Sequence, residues 1–479
     1  MDVVKSLRQR LSLAHQEPGG TMEKSRHRKL IGQWIKALIT ALLLIPGIAV
    51  SGQETRQAKP YHIVEIKGIE TPALLEKHFD DLTLFAVKQG IMIPIPFQLE
   101  DYDDEGYSWF AESGTPLRGT ENVFDQHDSL FFRYEDAGHK LDDYNASFAR
   151  ISAEIEVRDP ETGNSRYVYV SDQLNGFIFK PLTQYDPATG VVKSDHFRLD
   201  TNPNNFLIWN DFTYKTYQGD SADTLLDTLK IRMDAGVVLE NARVTLDNRN
   251  IRTEVSAIKQ GPIRTVVLAK AHLTFAKIPV VFFDMSFQIY PQQYRIDAKV
   301  EVPAVLAKLL HSPHATITLD GNNLTGSLLR VSSGPERPVL VDGRMSSVET
   351  ALQGTSLKKD QNWIWLSTQK GFDMVAQLFV PHNFDVPISV FYMDNHDMKE
   401  RPERFRGQGP NVGYHIHDIP INDTFHFGFS AFFADSIAPQ VPEAFIRNIA
   451  RVPQVIATTL EQHPTQLARS AQAETHSHD

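Results

Sequence analysis

The sequence predicts an all-β protein made of two antiparallel β-sandwich domains, the second of them large, with a short C-terminal helix. Short runs that alternate apolar and polar residues, such as Arg150–Val157, recur along the chain and are typical of half-buried antiparallel strands. Turn sequences rich in Asp, Asn and Gly, such as Asp320–Asn323, lie between these runs. Strands do not alternate with helices, which argues against a parallel α/β sheet or barrel.

Composition narrows the class of protein. The chain has 479 residues, of which 41% are apolar and 22% charged, as in ordinary folded proteins of more than one domain. It contains no Cys, which excludes disulfides, zinc–thiolate sites, iron–sulfur clusters and cysteine nucleophiles. With 48 Lys and Arg against 59 Asp and Glu, the formal charge is −11, and this argues against nucleic acid as the main partner.

The N-terminal segment has the three parts of a secretory signal peptide. Met22–Lys29 is basic, Ala37–Ile45 is apolar, and small residues follow up to Gly52. We expect translation to start at Met22, residues 1–52 to be the signal peptide, and the mature protein to be periplasmic or secreted. The apolar run is about half of the ~20 residues that a membrane span needs, so we expect no membrane span after cleavage. An uncleaved membrane anchor is the alternative.

The predicted domains follow from the distribution of strands and turns. Two segments have amphipathic helical patterns, Pro72–Val87 and Pro442–Leu460, and Pro453 interrupts the second. A turn-rich segment, 181–190, separates two strand-rich blocks. The predicted domains are 53–180, a small β-sandwich, 190–437, a large β-sandwich, and 438–479, a C-terminal helix with a disordered tail.

Two acidic segments in the first domain suggest calcium. Asp101, Asp103 and Glu105 alternate before Gly106, and this spacing resembles a calcium loop with Glu112 at its twelfth position. The second acidic segment contains Asp125 and Asp128 at the start of the next strand. The predicted calcium ligands are Asp101, Asp103, Glu105, Glu112, Asp125 and Asp128. The alternative is that they are turn carboxylates, which Asp and Gly favour for local reasons.

Two parts of the sequence resemble known groups of proteins. Ile95-Pro96-Phe97-Gln98, the acidic turn, and Phe124–Leu130 leading to Asp136-Ala137-Gly138 together resemble secreted bacterial β-proteins of unknown function. Gly261–Val267, followed by Phe287–Pro291, resembles the large galactose-mutarotase-type sandwiches of carbohydrate-active enzymes and their accessory domains. Both resemblances imply a fold and no particular chemistry.

Five of the 18 His residues lie within 382–426. His415 and His417 are two apart on an apparent strand, so we expect their side chains on one face, where they can bind a metal with Asp394, His396 or Asp418, or act as acid and base. Ordinary strand residues with solvated polar tips are the alternative. The predicted catalytic residues are His396, His415, His417, Tyr392 and Arg404. The predicted ligand-binding residues are Arg401, Arg406, Tyr414 and Asp394.

These observations favour an exported envelope protein that binds a polysaccharide or a similar extended polar ligand, with calcium supporting the first domain. One alternative is an enzyme of the polysaccharide lyase or epimerase type that uses the block 382–426, with an arginine holding a substrate carboxylate. Another is a structural envelope protein without a ligand site. The enzyme hypothesis requires His396, His415 and His417 to converge in one pocket, whereas the binding hypothesis requires an open groove with aromatic side chains.

Overall fold

Antiparallel strands dominate the computed structural model, which confirms the predicted all-β sandwich class. The described residues belong to one compact unit, and their strands make five sheets. The described residues are 62–143, 150–173, 176–219, 224–237, 239–275, 277–304, 308, 310–380, 386–398, 401–405, 409–420, 424–437 and 442–460. The predicted signal peptide, the tail after residue 460, His382 and Arg406 lie outside them.

The strands are numbered in chain order. They are β1 (Ile63–Lys67), β2 (Thr83–Lys88), β3 (Ile91–Pro94), β4 (Gln98–Glu100), β5 (Ser129–Arg133), β6 (Ala153–Arg158), β7 (Ser165–Ser171), β8 (Thr183–Asp186), β9 (Val191–Ser194), β10 (Phe197–Asn202), β11 (Asn205–Tyr214), β12 (Leu226–Val237), β13 (Leu239–Asp247), β14 (Ile251–Gln260), β15 (Thr265–Phe275), β16 (Ile278–Tyr290), β17 (Gln293–Glu301), β18 (Leu310–Gly321), β19 (Leu328–Val331), β20 (Val339–Leu340), β21 (Ser356–Leu357), β22 (Ile364–Ser367), β23 (Asp373–Phe379), β24 (Ile388–Met393), β25 (Asn411–Ile416), β26 (Phe425–Ala434) and β27 (Gln454–Thr459). The α-helices are α1 (Ser347–Leu352) and α2 (Pro442–Ala450).

The first sandwich has a three-stranded sheet, ordered β1-β5-β4, and a five-stranded sheet, ordered β27-β6-β7-β2-β3. Alternate residues of both sheets point into one core, as the period of two in a strand requires. Val64 and Leu130 come from the first sheet, and Ile155 and Val168 come from the second. The apolar alternation in the sequence therefore places this core between the two sheets.

The C-terminal strand completes the first sandwich. β27 pairs antiparallel with β6, with Gln454 opposite Arg158. The predicted short helix is confirmed at Pro442–Ala450, but its extension to residue 460 is wrong, because Pro453 has no N–H to continue the helix and the chain beyond it joins a sheet.

The predicted helix at Pro72–Val87 is also wrong. Pro72–Leu74 and Phe79–Asp81 form single 3-10 turns, and Thr83–Lys88 is strand β2. The first five side chains of β2 are buried, so both of its faces are covered. A short apolar run of this kind fits a buried strand as well as a helix, and the β-branched and aromatic residues favour the strand.

The large sandwich packs a six-stranded sheet, ordered β13-β12-β18-β25-β24-β21, against a nine-stranded sheet, ordered β14-β15-β16-β17-β26-β23-β22-β19-β20. A four-stranded sheet, ordered β11-β10-β9-β8, adds Trp209 and Phe212 to the same core. On β17, Tyr294 and Ile296 point into the core, so Arg295 and Asp297 lie on the outer face. Each large sheet therefore has an outer face that carries polar side chains.

The first sandwich packs against the outer face of the nine-stranded sheet. The Gln98 side-chain oxygen accepts hydrogen bonds from the backbone N–H groups of Ile263 (3.0 Å) and Arg264 (2.9 Å). A Cβ on Gly261 would lie 2.2 Å from the Gln98 side chain, so only glycine permits this close approach. The segment Ile95–Gln98 thus joins the two sandwiches. The predicted domain boundary at 181–190 stays a prediction.

No helix among the described residues is long and apolar enough to cross a membrane.

Candidate ligand-binding cleft

A cleft of about 530 Å³ lies between the first sandwich and the outer face of the nine-stranded sheet. A second cavity, of about 250 Å³, adjoins it. Both are lined by Tyr107, Ser108, Ser286 and Asp297. The larger volume is within the range of small-ligand sites, and the shared lining makes the two cavities one extended groove.

The floor of the cleft is set by strand register. Asp297 on β17 lies opposite Ser286 on β16 and Gly428 on β26, and the next row places Gln288 opposite Arg295. Cross-strand neighbours have Cβ atoms about 5 Å apart, so these polar side chains meet on one face. A Cβ on Gly428 would lie 2.8 Å from Asp297 Oδ1, and glycine therefore leaves room for this carboxylate.

Hydrogen bonds fix the orientation of the floor residues. Arg295 donates to both oxygens of Asp297, from Nε at 2.9 Å and from Nη2 at 3.0 Å. Gln288 donates from Nε2 to Asp297 Oδ2 at 2.9 Å, and its own oxygen accepts from Tyr290 at 3.0 Å. Bidentate charge-assisted bonds of this kind are directional, so the floor presents a defined pattern of donors and acceptors.

A buried ion pair stands at the back of the cleft. Arg264 donates to both oxygens of Glu100, at 2.8 and 2.6 Å, and the two side chains are 4% and 0% exposed. Arg264 also donates to Tyr290 Oη at 2.6 Å, which links the pair to the floor. Burial alone would raise the pKa of Glu100, but the guanidinium and the Ser108 hydroxyl lower it below its ordinary value. Glu100 is therefore a carboxylate at neutral pH.

Tyr107 and His426 meet in the wall of the cleft. The Tyr107 hydroxyl lies 3.0 Å from His426 Nδ1, and the two rings stack with their centroids 6.5 Å apart. Burial, then Asp297 and Glu105, raise the pKa of Tyr107. The phenol therefore stays protonated at neutral pH and can donate to the imidazole. Tyr107 belongs to the first sandwich and His426 to the second, so packing of the two sandwiches creates this pair.

The cations that line the larger cavity each have a carboxylate partner. Besides the two arginine pairs, Lys67 Nζ lies 2.7 Å from Glu65 and 3.9 Å from the centre of the Tyr102 ring. Phe379 lines the same cavity, is 40% exposed, and has the Arg295 guanidinium 5.3 Å from its ring centre. The cleft thus combines compensated charges with accessible aromatic rings.

Three of the predicted calcium ligands lie beside this groove. Asp103, Glu105 and Glu112 line the smaller cavity. Asp103 Oδ1 accepts from the backbone N–H groups of Glu105 (3.0 Å) and Tyr107 (2.9 Å). Glu105 pairs with Lys299 at 3.3 Å. These contacts hold the loop that carries Tyr107 over the sheet.

The other predicted calcium ligands also accept backbone hydrogen bonds. Asp101 accepts from Asn122 at 3.2 Å, Asp125 Oδ1 from His127 at 2.7 Å, and Asp128 Oδ2 from Asp125 at 2.7 Å. None of the six predicted ligands, all of which are described, belongs to a group of three donor atoms within 4.8 Å. The observed contacts are those of turn carboxylates, and calcium stays a prediction.

The predicted catalytic Tyr392 and the predicted ligand-binding Tyr414 both lie inside the large sandwich. Tyr392 donates to Glu349 at 2.9 Å, and the Tyr414 hydroxyl lies 2.9 Å from the carbonyl oxygens of both Asn362 and Ala376. Both tyrosines are 0% exposed. Tyr414 points inward because it alternates with His415 on the same strand, so these two residues do not share a site.

Of the remaining residues of the predicted block, only His415 and His417 among those described are brought together. Asp394 is buried, and its carboxylate accepts a hydrogen bond from the backbone N–H of Gly343 at 2.8 Å. The backbone carbonyl of Gly343 in turn accepts from the backbone N–H of His396 at 3.1 Å. Arg404 donates from Nε to the carbonyl of Asp227 at 2.8 Å. His415 and His417 do share a face, on the outer side of the six-stranded sheet. Arg401 is exposed, and Arg406 lies outside the described residues.

The principal residues of the cleft were missed from the sequence. The available signal was the alternation of polar residues along β16 and β17, opposite the apolar residues of the core. That signal places the polar side chains outside the sandwich, but the first sandwich that covers them follows from long-range packing. The missed residues are Tyr107, Arg264, Gln288, Arg295, Asp297, Phe379 and His426.

No protein-family model matches this sequence, and no curated protein matches it. Among solved structures, an α-mannosidase from Enterococcus faecalis V583 is similar with TM-score 0.40 and 9% identity, covering 84% of this chain and 44% of that protein. A putative aldose 1-epimerase from Escherichia coli K12 has TM-score 0.30 and 8% identity, covering 50% of this chain and 97% of its own. Heparan sulfate lyase HepC from Pedobacter heparinus has TM-score 0.32 and 12% identity, covering 61% of this chain and 45% of that protein. This chain thus spans less than half of the mannosidase and of the lyase, and part of it has a weak structural likeness to aldose 1-epimerase sandwiches.

Proposed function

We propose that this protein is an exported saccharide-binding protein and that the cleft between its two sandwiches holds a segment of a polysaccharide. The observation that carries the proposal is the lining of the cleft, in which compensated ion pairs, the exposed ring of Phe379 and the half-buried ring of Tyr107 surround a cavity of about 530 Å³. The signal peptide predicted from residues 1–52 supports export, which would bring the cleft into contact with polysaccharides of the envelope or the surroundings.

The chemistry of the lining suits a ligand with many hydroxyl groups. Asp297 accepts three hydrogen bonds from Arg295 and Gln288, which leaves one lone pair on Oδ1, and the Gln288 amide, whose oxygen accepts from Arg264 and Tyr290, retains a second N–H to donate. A sugar hydroxyl can donate to the first group and accept from the second. Phe379 supplies an accessible apolar ring beside them. Polar groups that fix orientation next to aromatic surface are the usual composition of a small-ligand site.

The balance of charge favours an uncharged saccharide over a strongly anionic one. Lys67, Arg264 and Arg295 are each paired with a carboxylate. An anionic polymer would gain little from such a compensated surface, because electrostatic attraction depends on net local charge. The smaller cavity that adjoins the cleft provides room for a second part of an extended ligand.

Titration calorimetry with a panel of soluble neutral and uronic acid oligosaccharides tests the proposal. We expect at least one neutral oligosaccharide to bind, with uronic acid oligosaccharides weaker. Arg295→Ala and Phe379→Ala should each weaken binding at least tenfold, which is about 1.4 kcal/mol.

The matched control is Arg198→Ala. Arg198 and Asp200 form the same strand pair, two residues apart, as Arg295 and Asp297, but they lie on β10, outside the cleft. This variant should bind like the parent. Equal losses in both arginine variants, or no binding by any member of the panel, would overturn the proposal.

A second function, proton transfer on the bound saccharide, is favoured by one observation. Tyr107 and His426 are within hydrogen-bond distance in the wall of the cleft and form an acid and base pair facing the ligand space. In a lyase, a base removes the proton beside a carboxylate, the glycosidic C–O bond breaks, and an acid protonates the leaving oxygen. In an epimerase, the same pair removes and returns a proton at one carbon.

The enzyme hypothesis is tested by incubating the whole panel, uronic acid oligosaccharides included, with the protein and following unsaturated products by ultraviolet absorbance and epimers by polarimetry. Tyr107→Phe and His426→Gln should abolish any such change while leaving binding within a few fold. His139→Gln is the control, since His139 is exposed and lies outside the cleft. Binding without turnover would leave the binding function alone.

A further inference from the structure

The geometry points to a transition-metal site formed by His314, His415 and His417 on the outer face of the six-stranded sheet, suited to a divalent ion of the zinc type. This inference does not rest on the proposed saccharide function, because the site belongs to the other large sheet. The sequence predicted that His415 and His417 can chelate a metal. The third histidine, His314, comes from β18 and was not predicted.

Strand pairing brings the three rings together. β18 and β25 are antiparallel neighbours, with Ala315 opposite Ile416 and Thr316 opposite His415. The rings of His415 and His417 stack with centroids 4.0 Å apart, and the His314 ring lies 5.6 and 5.5 Å from them. One nitrogen from each of the three rings lies within 4.8 Å of the others. All three side chains are partly exposed, so an ion can reach them from solvent.

These distances are close to those of a zinc site. Zn–N bonds of about 2.0–2.1 Å require ligand nitrogens about 3.4 Å apart in a tetrahedron. Moderate rotation of the rings can close the remaining gap, because the side chains lie at the surface. Imidazole nitrogens suit Zn²⁺, Cu²⁺ and Ni²⁺, whereas Ca²⁺ and Mg²⁺ prefer oxygen ligands. Three protein nitrogens leave the fourth position of a tetrahedral ion to water.

The surroundings of two of the three rings lower the pKa of their imidazoles, and a metal binds the neutral form of the ring. Burial, then the neighbouring His417 and His314, lower the pKa of His415 to about 4. Burial and then His314 also lower the pKa of His417. Asp234 near His415 and Asp418 near His417 oppose these shifts without reversing them.

A hydrogen bond supports the ring of His417. Its Nε2 lies 2.9 Å from the Ser389 hydroxyl on the adjacent strand β24, where Ser389 is directly opposite His415. Ligand histidines in metal sites usually have such a partner, which fixes the orientation of the ring. Strands β18, β25 and β24 thus supply the three nitrogens and the support from one rigid sheet.

The experiment uses the whole protein with Zn²⁺ alone in calorimetry and with Co²⁺ alone in visible absorption. Because His463, His476 and His478 near the C-terminus can also bind metal, the parent carries His→Gln changes at these three positions. We expect one equivalent of Zn²⁺ to bind and Co²⁺ to give the absorption bands of a nitrogen-ligated ion. His314→Gln and His415→Gln should each weaken binding more than tenfold.

Two further variants keep the test decisive. His139→Gln, an exposed histidine in the first sandwich, should bind Zn²⁺ like the parent. Ser389→Ala should fold normally and weaken binding by less than the ligand variants. Circular dichroism checks that each variant is folded. If His415→Gln does not fold, His314→Gln alone tests the site. The absence of Zn²⁺ binding in the parent, or binding unchanged in the folded ligand variants, would overturn the inference.

Discussion

The outer faces of the two large sheets use polar residues in different ways. On the nine-stranded sheet, Arg264 and Arg295 are paired with carboxylates, and the first sandwich covers them. On the six-stranded sheet, His314, His415 and His417 meet one another instead. Compensated ion pairs suit recognition of an uncharged polar ligand, whereas a group of neutral nitrogen donors suits a metal ion. The same strand alternation that builds one core thus produces two different surfaces.

The largest expected effect is at the buried pair of the nine-stranded sheet. Arg264→Met leaves the Glu100 carboxylate buried without its cation, and breaking such a pair costs about 3–5 kcal/mol. We expect this loss in the free energy of urea unfolding. Arg295→Met, at a partly exposed pair, should lose about 1 kcal/mol or less. Equal losses would show that Glu100 is not held by Arg264 as described.

The next largest loss of stability is expected on changing a buried cation of the six-stranded sheet, Lys230. Lys230 is 0% exposed, lies 2.8 Å from Glu403 and also contacts Asp320. Lys230→Met removes this cation from beside the buried Asp320 carboxyl, and we expect a loss of about 3 kcal/mol at pH 8. Burial, opposed by Lys230, raises the pKa of Asp320 to about 7.

The sign of the pH dependence follows from that shift. Folded Asp320 binds a proton below about pH 7, whereas the unfolded carboxyl binds one only below about pH 4. Stability from this group is therefore greatest at low pH and falls as the pH rises from about 4 to 7. In Lys230→Met the carboxyl is still harder to ionise, so the defect relative to wild type should be largest at pH 8 and smallest near pH 5. Urea unfolding at both values measures this, and a defect independent of pH would contradict it.

The sequence supports local inferences and fails where distant strands meet. Alternation correctly placed His415 and His417 on one face of a strand, because the period of two is a local property. It did not reveal His314, since the pairing of β18 with β25 joins residues about a hundred positions apart. Tyr107 and His426 are separated by more of the chain still, so the wall of the cleft was not predictable.

The errors in the predicted helices also arise because contacts between distant residues decide the structure. The sequence pattern predicts a helix that includes Gln454–Thr459, although those residues form a strand that pairs with β6 in the first sandwich. The sequence also predicts helix for residues 83–87, because an apolar run buried on both faces has no period of two. Tertiary contacts decided both elements, while the all-β class followed from the many alternating runs that need no such information.

Two glycines, one on each large sheet, differ in what an added Cβ would contact. A Cβ on Gly413 of β25 would lie 2.1 Å from the backbone carbonyl of Ile317, whereas a Cβ on Gly428 of β26 would lie 2.8 Å from a side chain, the Asp297 carboxylate. We expect Gly413→Ala to lose about 1–3 kcal/mol in urea unfolding and Gly428→Ala to lose less. Gly428→Ala should instead weaken saccharide binding, which Gly413→Ala leaves nearly unchanged if it folds. The reverse order of stability would show that the Asp297 side chain is not free to move.

The smallest expected effect is that of calcium on the acidic segments. Asp103 already accepts two backbone hydrogen bonds, and Glu105 already pairs with Lys299. Calcium must displace these contacts or add little to them, so we expect a Tm rise of less than about 1 °C on replacing EDTA with calcium. The Tm change on adding calcium is measured in the same way for the Asp128→Asn variant and compared with that of the parent. A rise of several degrees that Asp103→Asn abolishes would establish the predicted calcium loop and would give the first sandwich a metal site of oxygen ligands, in contrast to the nitrogen site on the six-stranded sheet.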